Sequence, residues 1–198
     1  MQNAAAREVT WVSESETDPE RALLVRIARG DRNALAELYA HYQAPLFRYL
    51  VQLTGDYGLA EEVLQDTLIA VWRSAASFEG RSSIRTWLIG IARRQAHNNL
   101  RRRALPLADE AELEVVPASG PEPDDAALAS AEREELATAV KCLAPVHREV
   151  LMLAFVNGLS YREMAMVLGV PEGTIKSRLN NAKRALRILL EASEEVGS

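Results

Sequence analysis

The sequence predicts an all-α fold: two small helical domains joined by an extended acidic linker, the second a four-helix domain with a helix-turn-helix. Three observations carry this. Apolar residues recur at three- and four-residue spacing, and no strand-period alternation of useful length appears. Capping residues, glycines and prolines punctuate the periodic segments at helix-length intervals. One stretch, 104–126, breaks the pattern with Pro106, Pro117, Pro121 and Pro123 set among acidic side chains.

Residues 1–17 are small and polar, expected as a disordered tail, and hold no apolar run of the kind a secretory signal needs. Asp18 and Pro19 then pair an N-cap with a proline at the first helical position. A short helix follows to about Arg29, closed by Gly30. A longer one runs from Asp31 to about Thr54, where Gly55 ends it and Asp56 caps the next, which reaches about Ser74. After a loop at 77–82, a further helix covers about Ser83 to Arg103, and the first domain spans 18–103. In 104–126 the prolines forbid a continuous helix and like charges repel, so the segment is an extended linker. The second domain, 127–191, should hold helices at about 127–143, 145–157, 160–168 and 171–191, with 192–198 a tail.

Hydrophobic content of 48% and charged content of 26% fit a soluble globular protein of 198 residues, and no apolar run is long enough to span a bilayer. The single cysteine, Cys142, rules out an internal disulfide framework or a thiolate-rich zinc site. A reduced, cytoplasmic compartment is the default. His41, His97 and His147 stand in no metal-ligand spacing. No nucleophile motif or Gly-rich phosphate loop appears, so no catalytic residue, metal, cofactor or small-molecule substrate is assigned.

A net charge of −5 conceals a strong asymmetry. Residues 81–103 hold seven arginines and no acid; residues 104–132 hold eight acids and no Lys or Arg. A phosphate backbone responds to the local charge, since screening confines each field to about 10 Å.

The segment Gly158–Leu179 reads as two short helices joined by a tight turn. Ser160 and Glu163 form a capping box, Ala165 is small where helices must approach, and Gly169 stands where a C-cap needs positive φ. Pro171 suits the next first turn. Ile175, Leu179, Ala182, Leu186 and Leu189 or Leu190 then form a buried stripe, leaving Lys176, Ser177, Arg178, Asn180, Asn181, Lys183 and Arg184 on the other face. Such a face suits duplex DNA: Lys and Arg neutralise phosphates, while Asn and Ser can bond base edges in the major groove.

In the first domain, Ala60, Val63, Leu64, Thr67 and Val71 make one buried stripe. The opposite face carries Glu62, Gln65, Asp66, Ile69 and Arg73, and is either a solvated surface with one stray apolar residue or a partner surface. In the next helix Ile84, Trp87, Leu88, Ile91 and Ala92 can pack inward, with Trp87 read as core ahead of a base-stacking platform. Arg85, Arg93, Arg94, Gln95, Asn98, Arg101, Arg102 and Arg103 point elsewhere; Arg94, Asn98 and Arg101 or Arg102 share a face. Arginines with amides and no carboxylate suit nucleic acid; an acidic partner, the chain's own linker included, is the alternative. The loop with Phe78, Gly80, Arg81 and Ser82 is either a connector or a holder of an extruded base.

Three segments, Leu59–Arg73, Ile84–Arg94 and the helix-turn-helix, together resemble bacterial RNA polymerase sigma factors of the sigma-70 family, extracytoplasmic-function group, across about residues 20–190. The resemblance implies a non-enzymatic factor that binds core RNA polymerase and directs promoter-specific initiation. It implies that Glu62, Gln65, Asp66, Ile69 and Arg73 dock on the clamp of the largest subunit, with a further contact to the flap of the second. It implies that Phe78, Arg81, Ser83, Arg85, Arg94, Asn98, Arg101 and Arg102 read and open the −10 element. Ser160, Tyr161, Arg162 and Thr174 would join the seven residues named on the recognition face in reading the −35 element. It implies promoter DNA as ligand, and control by an anti-sigma factor. Two rivals remain: a polymerase-independent DNA-binding regulator, for which 20–103 lack the βα alternation of a sensor domain, and a protein-binding helical adaptor, which would leave the arginines unexplained.

Overall fold

A computed structural model describes residues 19–104 and 127–197; the expected tail, the Asp18 cap and the stretch 105–126 lie outside the described residues. Among these residues the fold is all-α, with eight helices and no strand.

Helix α1 (Pro19–Ala28) is followed by Gly30 at φ 89°. Asp31 then N-caps α2 (Arg32–Thr54), accepting from the N–H groups of Asn33 and Ala34. The Arg26 guanidinium bonds Asp31 at 2.8 Å and grips Glu37 at 3.1 and 3.2 Å, locking α1 against α2. That guanidinium hydrogen bond, helped by the backbone N–H of Ala34, holds the Asp31 carboxyl below its ordinary range. Gly55, at φ 71°, ends α2 by donating to Val51 O, and Asp56 caps α3 (Tyr57–Ser74) through Leu59 N–H. A 3₁₀ turn, Ala75–Ser77, and an irregular loop lead to α4 (Ile84–Ala104).

The second unit begins with α5 (Ala127–Cys142). Helix α6 (Pro145–Leu151) does not run on as regular α-helix to 157 as the sequence suggested; Met152–Val156 widens into a π turn. Asn157 closes the turn, its backbone N–H and its side-chain amide both donating to Met152 O. Phe155, within this turn, is 66% exposed. Helices α7 (Tyr161–Leu168) and α8 (Glu172–Gly197) complete the fold. Helix α8 continues past 191, where the apolar stripe ends, because Glu191, Ala192, Glu194 and Glu195 are adequate helix formers.

The α3 stripe is buried as its spacing requires, with Ala60, Val63, Thr67 and Val71 sealed from solvent. On α4, Ile84, Leu88 and Ala92 are buried, as are Ile89 and Ala96, which periodicity does not single out. Trp87 and Ile91 are only half-buried. The main core gathers α1–α4 and is continuous with Leu153, Leu159, Met164 and Ile175 of the second unit. A smaller cluster of Leu143, Val150, Leu151, Leu179 and Ala182 lies wholly within α5–α8.

Candidate nucleic-acid interface

The helix-turn-helix is built by local chemistry. Ser160 Oγ accepts from Glu163 N–H at 3.3 Å while Glu163 Oε2 accepts from Ser160 N–H at 2.9 Å, closing the capping box. Gly169 adopts φ 66° and its N–H bonds Ala165 O, so the chain reverses without strain. Met164 and Ile175, both fully buried, fix the angle between α7 and α8. Lys176, Ser177, Asn180, Asn181, Lys183 and Arg184 are exposed on α8; Thr174 and Arg178 are half-buried. Tyr161 and Arg162 are exposed on α7, and Lys176 Nζ lies 5.8 Å from the Tyr161 ring centre, which orders both beside the recognition face. Ser160 is exposed, but its hydroxyl is committed to the capping box. Lys183 lies over the Phe155 ring at 5.5 Å.

The second basic surface is a cleft of about 690 Å³ along α4. Arg93, Arg94, His97, Asn98 and Arg101 line it and Trp87 and Ile91 supply apolar floor; no carboxylate is among the lining residues, though Glu149 pairs with Arg93 and Glu163 accepts from Thr86 at its edge. Trp87 packs against the main core, as its apolar neighbours suggest, and also borders the cleft, and Phe78 packs against it at 5.2 Å and 58°. An aromatic pair flanked by cations offers stacking and phosphate neutralisation together. Arg101 takes the shared position with Arg94 and Asn98. Arg102 instead borders a neighbouring hollow with Asp66, Ile69 and Arg73.

The loop before α4 is shaped by Gly80, at φ 71°, over which Arg21 packs so closely that a Cβ would meet its Nη1 at 3.1 Å. Arg81 is exposed and paired with Glu79. Ser83 and Arg85 are exposed, yet both hold groups of the second unit: Ser83 donates to Glu163 at 2.8 Å and Arg85 to Asn157 O at 3.3 Å.

On α3, Glu62, Gln65, Ile69 and Arg73 are exposed, with Ile69 at 49%. Asp66 is half-buried because Asn99 of α4 donates to it at 3.0 Å, and Arg103 reaches Glu62 at 2.8 Å. Neither partner is legible from α3 alone.

Two Sigma-70 family models match the chain, region 2 over residues 38–105 and region 4 over 133–186. The ECF RNA polymerase sigma factor SigK of Mycobacterium ulcerans (strain Agy99) is 32% identical over 89% of this chain and 96% of its own length. The chain belongs to the ECF RNA polymerase sigma factors. SigK of Mycobacterium tuberculosis (strain ATCC 25618 / H37Rv) is 34% identical, covering 87% of this sigma factor and 94% of the relative. Among solved structures, RpoE from Bartonella quintana, crystallised with the anti-sigma factor NepR, superposes with a TM-score of 0.66 at 27% identity over 79% of this chain and 96% of that one. CnrH, solved with the cytosolic domain of CnrY, shares the fold, with a TM-score of 0.65 at 24% identity, over 88% and 99%. In this sigma factor the cleft is lined mainly by residues of the region 2 match, with Met166 and Val167 of the region 4 match on its wall, and the helix-turn-helix lies within the region 4 match. No helix among the described residues is long and apolar enough to cross a membrane, and none of their His, Cys, Asp and Glu side chains cluster as a metal site.

Proposed function

We propose that this sigma factor binds core RNA polymerase and directs promoter-specific initiation through two DNA surfaces. The observation that carries the reading is their pairing on one chain: an arginine-lined cleft holding Trp87, Arg94, Asn98 and Arg101, and a separate recognition face led by Lys176, Ser177, Asn180 and Asn181. The α8 face reads the −35 duplex and sets register. The cleft and the Phe78 loop take the −10 strand as it unstacks, and stacking on Trp87 and Phe78 offsets a melting cost of a few kcal/mol per base.

Ile69, with Glu62, Gln65 and Arg73 around it, docks on the polymerase clamp. The flap of the second-largest subunit finds an apolar groove of about 730 Å³ between α5, the π turn and α8, lined by Leu136, Phe155, Leu186 and Leu190. The negative charge of the linker, 104–126, suits a segment that the transcript displaces, since like charges repel. Solved relatives bound to an anti-sigma factor favour the same control here, acting in the cytoplasm. The factor performs no covalent chemistry and needs no cofactor or metal.

Mapping transcript 5′ ends after overexpression tests this. New starts should share one pair of elements upstream at fixed spacing. New starts scattered without a common element would overturn the reading.

A further inference from the structure

We propose that Phe155 is a positioning residue for promoter reading: its exposed ring holds Lys183 of the recognition helix ready for a DNA phosphate. The inference rests on the reading of the α8 face as the −35 surface.

The chain chooses its cations unevenly. Twenty are arginine and three are lysine: Lys141, Lys176 and Lys183. Two of the three lysines stand on α8, seven residues apart, so two helical turns bring them to one face about 10 Å apart along the axis. Both are exposed, and each lies over a ring from a different element. Lys176 Nζ is 5.8 Å from the centre of the Tyr161 ring on α7, and Lys183 Nζ is 5.5 Å from the centre of the Phe155 ring in the π turn. At such separations the negative face of a ring attracts an ammonium. The contrast with arginine supplies the reason. A guanidinium is a planar, pre-organised fork, whereas an ammonium rides on a flexible four-carbon stem. Held on a ring, that stem has already lost much of the freedom that a phosphate contact would otherwise remove.

Tyr161 stands among the candidate DNA contacts in its own right; Phe155 does not. It is the most exposed large apolar side chain among the described residues, yet the backbone that carries it is firmly held. Asn157, itself buried, donates from both its backbone N–H and its side-chain amide to Met152 O and so closes the turn. Widened turns of this kind recur at functional sites. A leucine would serve the apolar groove beside α8 as well as a phenylalanine does, but only an aromatic ring also seats Lys183. Phe155 precedes the helix-turn-helix and acts on DNA through Lys183, with no contact of its own.

The test uses the full chain without polymerase, which keeps the proposed occupant of the groove out of the readout. Three lysines give three sets of ε-methylene NMR signals. In the wild type and in Phe155→Tyr the Lys183 signal should lie upfield of the Lys141 signal, shifted by the ring beneath it. In Phe155→Leu it should return to the Lys141 value. Affinity at low salt for a mixed-sequence duplex, and for one carrying the mapped −35 element, should fall by the same factor of about two to five in Phe155→Leu, because a phosphate contact reads no sequence. Phe155→Tyr should recover most of that loss. Lys183→Gln should lower the slope of log affinity against log salt by about 1, while Phe155→Leu should leave the slope unchanged, since the lysine still reaches its phosphate. Added to Lys183→Gln, Phe155→Leu should cost no further affinity; added to Lys176→Gln, two turns away, it should cost its full factor. An unshifted Lys183 signal in the wild type, equal losses from Phe155→Leu with and without Lys183, or a Phe155→Tyr chain as weak as Phe155→Leu overturns the assignment. Coupling of Phe155 to Lys183 in a chain that starts no specific transcript with core RNA polymerase counts against the proposed function and leaves the positioning standing.

Discussion

Glu163 joins two scales of structure through one side chain, each oxygen serving a different unit. Partial burial pushes its carboxyl up, but the bonds from Ser160 N–H and from the Thr86, Ser83 and Ser160 hydroxyls outweigh it and bring the pKa down to about 2 from 4.5. A depressed carboxyl contributes stability that is complete above the unfolded value and lost as pH falls through the folded one. Urea unfolding should therefore show Glu163-dependent stability at pH 6 that declines below about pH 4.5, and Glu163→Gln, which can keep the capping box, should flatten that part of the profile. An unchanged acid profile in the variant would remove Glu163 from this role. Ser160→Ala should cost about 1 kcal/mol at pH 7 in the same measurement, the usual worth of an N-cap. Asp66 is a poorer probe of docking than its place on α3 suggests. Because Asn99 donates to it, Asp66→Ala disturbs the α3–α4 contact as well as any docking face. Ile69→Ala is cleaner: at 49% exposure it should change stability by less than about 0.5 kcal/mol yet weaken capture of core polymerase in a pull-down.

At the scale of elements, what is legible in the sequence is local. Asp31, Gly55, Asp56, Ser160, Glu163 and Gly169 act on backbone within a few residues, so they announce where helices begin and end. The buried stripe of α3 is legible because its whole environment is one face. The π turn at Met152–Val156 is not, since no residue there forbids an ordinary helix. Trp87 keeps its expected place against the core, but its second role is not legible for a related reason: its apolar neighbours indicate its face, and only the packing of Phe78 and α7 shows that it also borders a cleft. The recognition helix α8 carries its own prediction. Lys176→Ala with Arg178→Ala should reduce holoenzyme affinity for promoter DNA and lower the slope of log affinity against log salt by about 1 for each phosphate no longer neutralised. A slope equal to the wild type's would mean these side chains touch no phosphate. Trp87→Ala should impair strand opening, read by permanganate reactivity of thymines, by a factor corresponding to about 1–3 kcal/mol of stacking, while −35 duplex binding stays intact.

At the scale of the molecule, charge is divided along the chain so that a net-negative protein carries two cationic surfaces. Contacts between the two units, such as Arg93 with Glu149, are invisible to any local pattern, because their partners are fixed only when both units are folded and docked. Reconstituted transcription tests the central claim most directly: core RNA polymerase with this chain, on templates carrying the mapped starts. Transcripts should begin at those positions only when the chain is present, and should be lost with the Lys176→Ala, Arg178→Ala variant. No specific start, while the chain alone protects duplex DNA from cleavage, would contradict it and leave a DNA-binding protein that works without polymerase.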